Sequence, residues 1–167
     1  MAGARPVAEG RVGLRRIVVT GGSGRLGGYI LDRLADRTVT VADIRPPNRD
    51  IDYRKADIED HAAMARTFAG AEAVIHLAAI PNPRTAPAEV TFRVNVQGTW
   101  SVLQAAEDAG VKRVVVASSD AILGLSYNPP DWKPQYLPID EDHPIRPTEF
   151  YSLSKEATES ICRSYAH

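Results

Sequence analysis

The sequence predicts an α/β fold, a doubly wound parallel sheet with helices on both faces. Residues 17–19 and 114–117 are short β-branched runs without polar alternation, typical of strands buried on both faces of a parallel sheet. These runs alternate with longer segments whose apolar residues follow helical spacing, which indicates right-handed strand–helix–strand crossovers. A chain of 167 residues is long enough for one domain with a hydrophobic core.

The first half of the chain contains the predicted elements in alternation. Residues 1–14 have no sustained apolar period, so we predict a flexible leader followed by one domain over residues 15–167. The elements predicted next are strands at residues 17–19, 38–42, 53–58 and 73–77, with helices at residues 28–35 and 60–68.

The second half contains two long helices and a long connection. Apolar residues at steps of four and three predict a helix over residues 88–109 that ends near Gly110. A further buried strand is predicted at residues 114–117. Six of the twelve prolines fall within residues 125–147, which predicts an irregular connection. Helical spacing returns over residues 148–165.

Composition excludes several classes of function. Twenty basic and twenty-one acidic residues give a net charge of −1, which provides no field for a nucleic-acid backbone or an anionic membrane. No apolar run reaches the roughly 18 residues of a membrane span, and the first residues have no secretory pattern. A single cysteine, Cys162, cannot form an internal disulfide or a thiolate metal cluster. We predict a cytoplasmic protein without metal, nucleic-acid or membrane binding.

A glycine-rich loop lies between the first predicted strand and the first predicted helix. Gly21, Gly24 and Gly27 have the spacing at which glycine permits a tight turn, close approach to a pyrophosphate, and close helix–strand packing. The N–H groups at the helix start would face the phosphates. A turn that binds nothing is the alternative, but the strand–loop–helix context favours a dinucleotide.

Asp43 ends the second predicted strand, sixteen residues after Gly27. A carboxylate there can accept hydrogen bonds from both ribose hydroxyls and would repel a 2′-phosphate, which favours NAD over NADP. Arg45 leaves NADP as an alternative cofactor, since its guanidinium could neutralise the 2′-phosphate. Without the glycine loop, a solvated strand-end carboxylate would be the simpler interpretation of Asp43.

Tyr151 and Lys155 stand at i and i+4 on the face of the last predicted helix. The pKa of a free tyrosine is about 10, which is too high for a base at neutral pH. A nearby lysine cation and a positive nicotinamide would lower that pKa, so that Tyr151 could exchange a proton with a substrate hydroxyl. Ser119, at the end of the preceding strand, could bond the same oxygen. An amphipathic surface pair is the alternative, which the position after a strand-end serine disfavours.

Six segments together resemble the extended short-chain dehydrogenase/reductases, the NAD-dependent sugar epimerase/dehydratase group. They are residues 20–27, 57–58, 76–79, 95–99, 118–119 and 151–155. The resemblance implies a Rossmann-type domain that binds NAD. The cofactor-binding residues it implies are Gly21, Gly24, Arg25, Leu26, Gly27, Asp43, Asp57, Ile58, Leu77, Ala78, Ala79, Asn95, Tyr151 and Lys155.

The same resemblance implies the chemistry and the assembly. Ser119, Tyr151 and Lys155 would form the catalytic set for a small sugar-type substrate, and the protein would form a homodimer through the helices at residues 88–109 and 148–165. For Asn95, a structural hydrogen bond to the backbone is an equally good interpretation, and for His76 a satisfied core histidine is the better one. The acidic residues and His143 of the proline-rich connection are interpreted as solvated loop charges. They are Asp131, Asp140, Glu141 and Asp142.

The chain departs from the family at several points. Dehydratases carry an acidic pair after the hydroxyl residue, whereas here Ala121 follows Asp120, which argues against dehydration. Leu123 replaces an aromatic residue common in epimerases, so simple oxidation or reduction is favoured. Family members are about twice as long. We therefore expect a fold truncated before the last strands and the substrate-binding part, with the strand at residues 114–117 lacking a neighbour.

The sequence therefore predicts an NAD-dependent dehydrogenase or epimerase that acts on a sugar or sugar derivative by hydride transfer. Two alternatives stay open. One is a non-catalytic dinucleotide-binding or sensing module, which would bind NAD without turnover. The other is an inactive fragment of a longer enzyme, which would bind no dinucleotide.

Overall fold

The computed structural model describes residues 16–127 and 132–166, so the leader predicted over residues 1–14 lies outside the described part. The described residues form one parallel sheet of five strands. The strands are β1 (Ile17–Thr20), β2 (Val39–Asp43), β3 (Asp52–Lys55), β4 (Ala73–His76) and β5 (Arg113–Val116). Their order is β3-β2-β1-β4-β5, so the direction of winding reverses beside β1 and the doubly wound prediction is confirmed.

Helices flank the sheet on both sides. They are α1 (Arg25–Arg33), α2 (His61–Phe68), α3 (Ala88–Phe92), α4 (Gly98–Asp108) and α5 (Phe150–Ser164). A π-helical turn, Arg93–Gln97, joins α3 to α4, so the helix predicted over residues 88–109 is continuous but contains one wider turn. Gly110 follows it with a φ of +70°, as expected of a residue that ends a helix.

The hydrophobic core has two layers, one on each face of the sheet. Adjacent strand residues point to opposite faces. Val18 accordingly packs in one layer with Phe68 of α2 and Val102 of α4, while Val19 packs in the other with Leu31 of α1. Burial on both faces explains why the central strands are β-branched without polar alternation.

β5 forms the edge of the sheet. Among the described residues it pairs with β4 alone, and the Val115 side chain is 62% exposed. An open groove between α4 and α5 borders its free edge. The expectation of a strand without a second neighbour is met in the part of the chain that the structure describes.

The parallel arrangement brings the candidate functional residues together. Because all five strands run in one direction, their carboxyl ends meet at one edge of the sheet. The glycine loop follows β1, Asp43 ends β2, and residues 77–80 and 117–119 follow β4 and β5.

None of the described helices is long and apolar enough to cross a membrane.

Candidate active site

A cleft of about 730 Å³ lies at the carboxyl ends of the strands. Its volume is within the range of small-molecule sites in proteins. The sequence-predicted residues that line it are Gly21, Gly24, Arg25, Leu26, Gly27, Asp43, Asp57, Ile58, Leu77, Ala78, Ala79, Tyr151 and Lys155. The structure therefore brings the glycine loop and the Tyr–Lys pair to one cleft, although more than one hundred residues separate them in sequence.

The glycine loop has no room for side chains at two positions. Gly21 has a φ of +72°, and a Cβ there would lie 2.4 Å from the backbone nitrogen of Ala78. A Cβ on Gly27 would lie 2.5 Å from the carbonyl oxygen of Gly22. No side chain caps the start of α1, so the N–H groups of its first turn are available to an anion.

Asp43 connects the glycine loop to the segment after β2. Its Oδ2 accepts the N–H of Ser23 at 3.0 Å, and its Oδ1 accepts the N–H of Arg45 at 3.1 Å. Each carboxylate oxygen can accept a second hydrogen bond. The carboxylate thus stabilises the loop and can still bind hydroxyl groups in the cleft.

Glu149 fixes the start of the helix that carries Tyr151. Its Oε2 accepts the N–H of Tyr151 and its Oε1 accepts the N–H of Ser152, both at 2.7 Å. The Ser152 side chain lies near the Glu149 backbone and completes a reciprocal capping box. In the usual capping box the hydroxyl residue is the N-cap and the acid follows three residues later, so this reversed order gave no recognisable signal for Glu149 in the sequence.

The pKa of the Tyr151 phenol is shifted upward, which is opposite to the direction expected from the sequence. Burial raises its pKa, and a hydrogen bond with Ser119 lowers it without reversing the shift. Further negative groups also raise this pKa: Tyr127, Asp120 and Glu149. Lys155 is not among the groups that shift this pKa, so the expectation that the lysine cation lowers it is not met in the chain alone.

Lys155 is buried, with 6% of its surface exposed. Its Nζ donates a hydrogen bond of 2.8 Å to the carbonyl oxygen of Ala117, which follows β5. Burial lowers the pKa of this ammonium group. The contact with Ala117 ties α5 to the end of the sheet and holds a cation beside the cleft.

His76 lies beneath the cleft and is fully bonded. Its Nδ1 lies 2.6 Å from the hydroxyl of Thr20, and its Nε2 lies 3.1 Å from the hydroxyl of Thr99. Burial, and then the charge of Lys155, lower the pKa of His76 to about 3. The interpretation of His76 as a satisfied core histidine is confirmed.

Asn95 lies behind the cleft rather than on its wall. Its side-chain Oδ1 accepts the N–H of Ile80 at 2.8 Å, and its Nδ2 donates to the carbonyl of Ile80 at 3.1 Å. Ile80 itself lines the cleft. Asn95 therefore supports the segment that follows β4, as the structural interpretation of this residue expects.

The connection before α5 holds ordered polar contacts. The interpretation of His143 as a solvated loop residue is wrong, because only 3% of its surface is exposed. The Nε2 of His143 accepts the N–H of Gln135 at 3.1 Å, and the Tyr136 hydroxyl donates to Asp140 at 2.7 Å. No cluster that could hold a metal ion is found among the described residues, and Asp131 lies outside them.

The comparisons with known proteins identify the family. The sequence model of the NAD dependent epimerase/dehydratase family matches residues 17–167. This chain belongs to that family. The resemblance inferred from the sequence motifs is thereby confirmed.

One curated relative and two solved structures illustrate the similarity to the epimerase/dehydratase family. An L-arabinose 1-dehydrogenase (NAD(P)(+)) from Haloferax volcanii is 35% identical over 160 residues, which cover 92% of this chain and 62% of that protein. A short-chain dehydrogenase/reductase superfamily protein from Agrobacterium tumefaciens with bound NAD is 36% identical, with a TM-score of 0.79 over 90% of this chain and 45% of that one. A UDP-galactose 4-epimerase is 33% identical, with a TM-score of 0.78 over 90% and 51%. The chain spans 45–62% of the length of these relatives.

The cleft fits the cofactor of the epimerase/dehydratase family. Two backbone positions that only glycine can occupy, a helix start without a side-chain cap, and a strand-end carboxylate are the parts that hold a dinucleotide. All of them line the same cleft as Tyr151. The described residues therefore fit NAD.

Several cleft residues were not proposed from the sequence as members of the family site. They are Tyr29, Ile44, Glu59, Ile80, Thr85, Val94, Ala117 and Ser118. Ile44, Glu59 and Ile80 each directly follow a residue proposed for the site, and Ser118 belongs to the family-like segment 118–119. These positions in the sequence were the available signal. Thr85 and Val94 belong to the segment after β4 and to the π-helical turn, and only the folded chain brings them to the cleft.

Proposed function

We propose that this chain binds NAD and transfers hydride between NAD and a sugar or sugar derivative, using Tyr151, Lys155 and Ser119. The proposal rests on one observation above the rest: the glycine loop and the Tyr151 phenol line a common cleft. Membership of an NAD-dependent family supports it. Relatives named as an arabinose dehydrogenase and a UDP-galactose epimerase support the choice of a sugar substrate.

In the proposed complex, each part of the cleft holds one part of the cofactor. Gly21, Gly24 and Gly27, with Arg25 and Leu26 at the start of α1, would hold the pyrophosphate. Asp43 would accept hydrogen bonds from the adenosine ribose. Asp57 and Ile58 would flank the adenine, residues 77–79 would line the remaining wall, and Lys155 would also hold the nicotinamide ribose. NAD supplies the hydride acceptor and a positively charged ring.

Tyr151 would move the proton. During oxidation, the substrate C–H hydrogen leaves with its electron pair, the hydroxyl proton passes to the Tyr151 oxygen, and a carbonyl forms. Ser119, which bonds the phenol, would orient the same substrate oxygen. Because burial raises the pKa of Tyr151, the Lys155 cation and the positive charge of the cofactor would be needed to favour the phenolate.

Dehydration is not part of the proposal. The methyl group of Ala121 is buried and can neither accept nor donate a proton. Simple hydride transfer requires only Ser119, Tyr151 and Lys155 in addition to the cofactor. A dehydrogenase is therefore favoured, with an epimerase as the second candidate.

Replacing Tyr151 by phenylalanine tests the proposal. We expect Tyr151→Phe to reduce turnover by about 10³-fold or more, because the proton acceptor is lost, while the dissociation constant of NAD stays within about threefold. Tyr136→Phe, at an exposed tyrosine of the connection before α5, is the control and should behave as the wild-type chain. Turnover is followed by NADH absorbance over a panel of sugars, and NAD binding by calorimetry.

The possible outcomes separate the alternatives. Unchanged turnover in Tyr151→Phe would remove this residue from the mechanism. NAD binding by the wild-type chain without turnover of any sugar would favour a sensing module. Binding of no dinucleotide would favour an inactive fragment. Parallel titration with NADP tests whether Asp43 excludes the 2′-phosphate or Arg45 accommodates it.

We also propose a homodimer. Large apolar side chains on the outer surfaces of α3, α4 and α5 are exposed to solvent. Burying them against a second copy of the chain would remove this apolar area from water.

A further inference from the structure

Asn95 lies where three segments of the chain meet. Besides its two bonds to Ile80, its Nδ2 donates a hydrogen bond of 3.0 Å to the Ser154 hydroxyl on α5. The side-chain amide therefore uses both of its N–H donors and its oxygen acceptor. Asn95 is 1% exposed and Ser154 is fully buried. A buried amide with all partners present holds its neighbours in one arrangement, because any shift would leave a polar atom unpaired.

The wider helical turn around Asn95 gives α5 a second contact. The N–H of Gly98 donates to the carbonyl of Arg93, five residues earlier, which is the bond that defines a π-helical turn. The Thr158 hydroxyl of α5 lies 3.2 Å from the carbonyl oxygen of Asn95 and 2.9 Å from that of Ser154. A hydroxyl has one proton, so Thr158 shares it between the two carbonyls. Thr158 is 1% exposed.

These contacts reach both sides of the candidate active site. Ser154 follows Tyr151 by one helical turn and precedes Lys155 directly, and its hydroxyl donates to the carbonyl of Tyr151 at 2.7 Å. Ile80 belongs to the segment after β4 that lines the cleft. The Asn95 amide is thus bonded at once to the helix that carries the phenol and to the wall beside which NAD would lie.

We propose that Ser154 and Thr158 are positioning residues that, with Asn95, fix the cleft segment containing Ile80 relative to the Tyr151 phenol. The inference rests on the proposed function for its effect on turnover, but not for its effect on the cleft itself. Hydride and proton transfer depend steeply on geometry, and a displacement of about 1 Å can reduce a rate by about 10²-fold. The three side chains would fix the distance between the Ile80 segment and the Tyr151 phenol without touching substrate or cofactor.

The test compares variants that remove a hydroxyl group with variants that keep it. Thr158→Val removes the hydroxyl and keeps the shape of the side chain, whereas Thr158→Ser keeps the hydroxyl. Ser154→Ala removes the acceptor for the Asn95 amide. Ser164→Ala is the matched control. The Ser164 hydroxyl also donates to a carbonyl within α5, that of Ile161 at 2.7 Å, but it lies at the other end of α5 from Tyr151. Five quantities are measured for each variant of the 167-residue chain. They are amide hydrogen exchange at Ile80, NAD affinity, kcat, KM and Tm.

We expect Thr158→Val and Ser154→Ala to speed exchange of the Ile80 amide by about tenfold or more, since its acceptor loses its support. NAD affinity should weaken by about three- to tenfold, and kcat should fall by about 10- to 100-fold with the KM for the sugar nearly unchanged. Thr158→Ser and Ser164→Ala should match the wild-type chain in Ile80 exchange, NAD affinity, kcat and KM. Thr158→Ser should lower Tm slightly, because it removes a buried methyl group.

Other results would overturn the inference. If Thr158→Val and Ser154→Ala lower only Tm and leave Ile80 exchange and NAD affinity unchanged, the hydroxyls merely stabilise helix packing. Faster exchange with unchanged NAD affinity and kcat would equally remove the positioning role. If the wild-type chain turns over no sugar, the proposed function fails, and Ile80 exchange with NAD affinity still decides the present inference. If Ser154→Ala does not fold, the Thr158 pair gives the answer.

Discussion

Thr20 and Thr99 bond the two ring nitrogens of His76 at 2.6 and 3.1 Å. A neutral imidazole presents one donor and one acceptor, and two hydroxyl groups can match either tautomer. Burial and the nearby Lys155 charge disfavour the imidazolium and lower the pKa to about 3. His76 thus links β1 and β4 to α4 as a neutral side chain.

Burial of neutral His76 should make the protein less stable in acid. The pKa of a histidine in an unfolded chain is about 6.5. Between that pH and about pH 3, the unfolded chain therefore binds a proton at His76 that the folded chain does not bind. The contribution of His76 to stability is complete above that window and falls by about 1.4 kcal/mol for each pH unit as the pH decreases through it. Urea unfolding of the wild type and His76→Gln at several pH values measures this slope.

The variant should be less stable at neutral pH and should lose less stability on acidification. His61→Gln, at a histidine whose side chain is 43% exposed, is the control. In the wild-type chain, NMR titration should show no protonation of the His76 ring above about pH 4. Equal pH slopes for wild type and His76→Gln, or ring protonation near pH 6.5, would contradict the prediction.

Single residues also show what the sequence could and could not predict about the site. The spacing of Gly21, Gly24 and Gly27, and the four-residue step from Tyr151 to Lys155, are local patterns, and the structure brings these residues to one cleft. The direction of the Tyr151 pKa shift was not predictable. It depends on burial and on charges contributed by separate segments of the folded chain, and these are invisible in a local motif.

At the scale of elements, the start of α1 shows a limit of pattern reasoning. The sequence predicted a helix over residues 28–35 from its apolar spacing, yet α1 is Arg25–Arg33 and includes Gly27 as well as Gly28. Glycine has a low helix propensity. The two glycines have different surroundings. A Cβ on Gly27 would lie 2.5 Å from the Gly22 carbonyl oxygen, whereas a Cβ on Gly28 would meet nothing within 4 Å. Helix packing against the loop therefore requires only the first of them.

This contrast gives a matched pair of variants. Gly27→Ala should separate α1 from the glycine loop, lower the free energy of unfolding by about 2 kcal/mol or more, and weaken NAD binding at least tenfold. Gly28→Ala should leave NAD binding unchanged and should stabilise the helix by up to about 1 kcal/mol. Urea unfolding and calorimetric titration with NAD measure both quantities. Equal effects of the two substitutions would show that the close approach at Gly27 does not matter.

The ends of other elements also depend on contacts outside the pattern. The third strand, predicted to reach residue 58, ends at Lys55, because the Asp57 carboxylate accepts the N–H of Glu59 at 3.0 Å and turns the chain. The π-helical turn, Arg93–Gln97, has no signature in apolar spacing, since it adds one residue to a single turn. The doubly wound parallel sheet and the presence of each α-helix were predictable, because they follow from alternation and burial.

Within residues 16–127 and 132–166, two surfaces of the molecule expose apolar side chains that a second copy could cover. The first is the outer side of the helices α3, α4 and α5, where Phe92, Trp100 and Leu153 are 39%, 52% and 47% exposed. The second is the free edge of β5, where Val115 is exposed. Large apolar side chains exposed together on packed helices indicate an interface, whereas an edge strand associates through its backbone.

The proposed homodimer uses the first surface, and two charge substitutions distinguish it from the second. Phe92→Glu and Trp100→Glu each place a carboxylate on the helical surface, and its burial against a second copy would cost several kcal/mol. We therefore expect the wild-type chain to sediment at twice the monomer mass and both variants to sediment as monomers with unchanged circular dichroism. Val115→Glu, at the β5 edge, should remain dimeric. If Val115→Glu alone dissociates, the copies associate through the sheet edge, and a monomeric wild-type chain at micromolar concentration would refute the dimer.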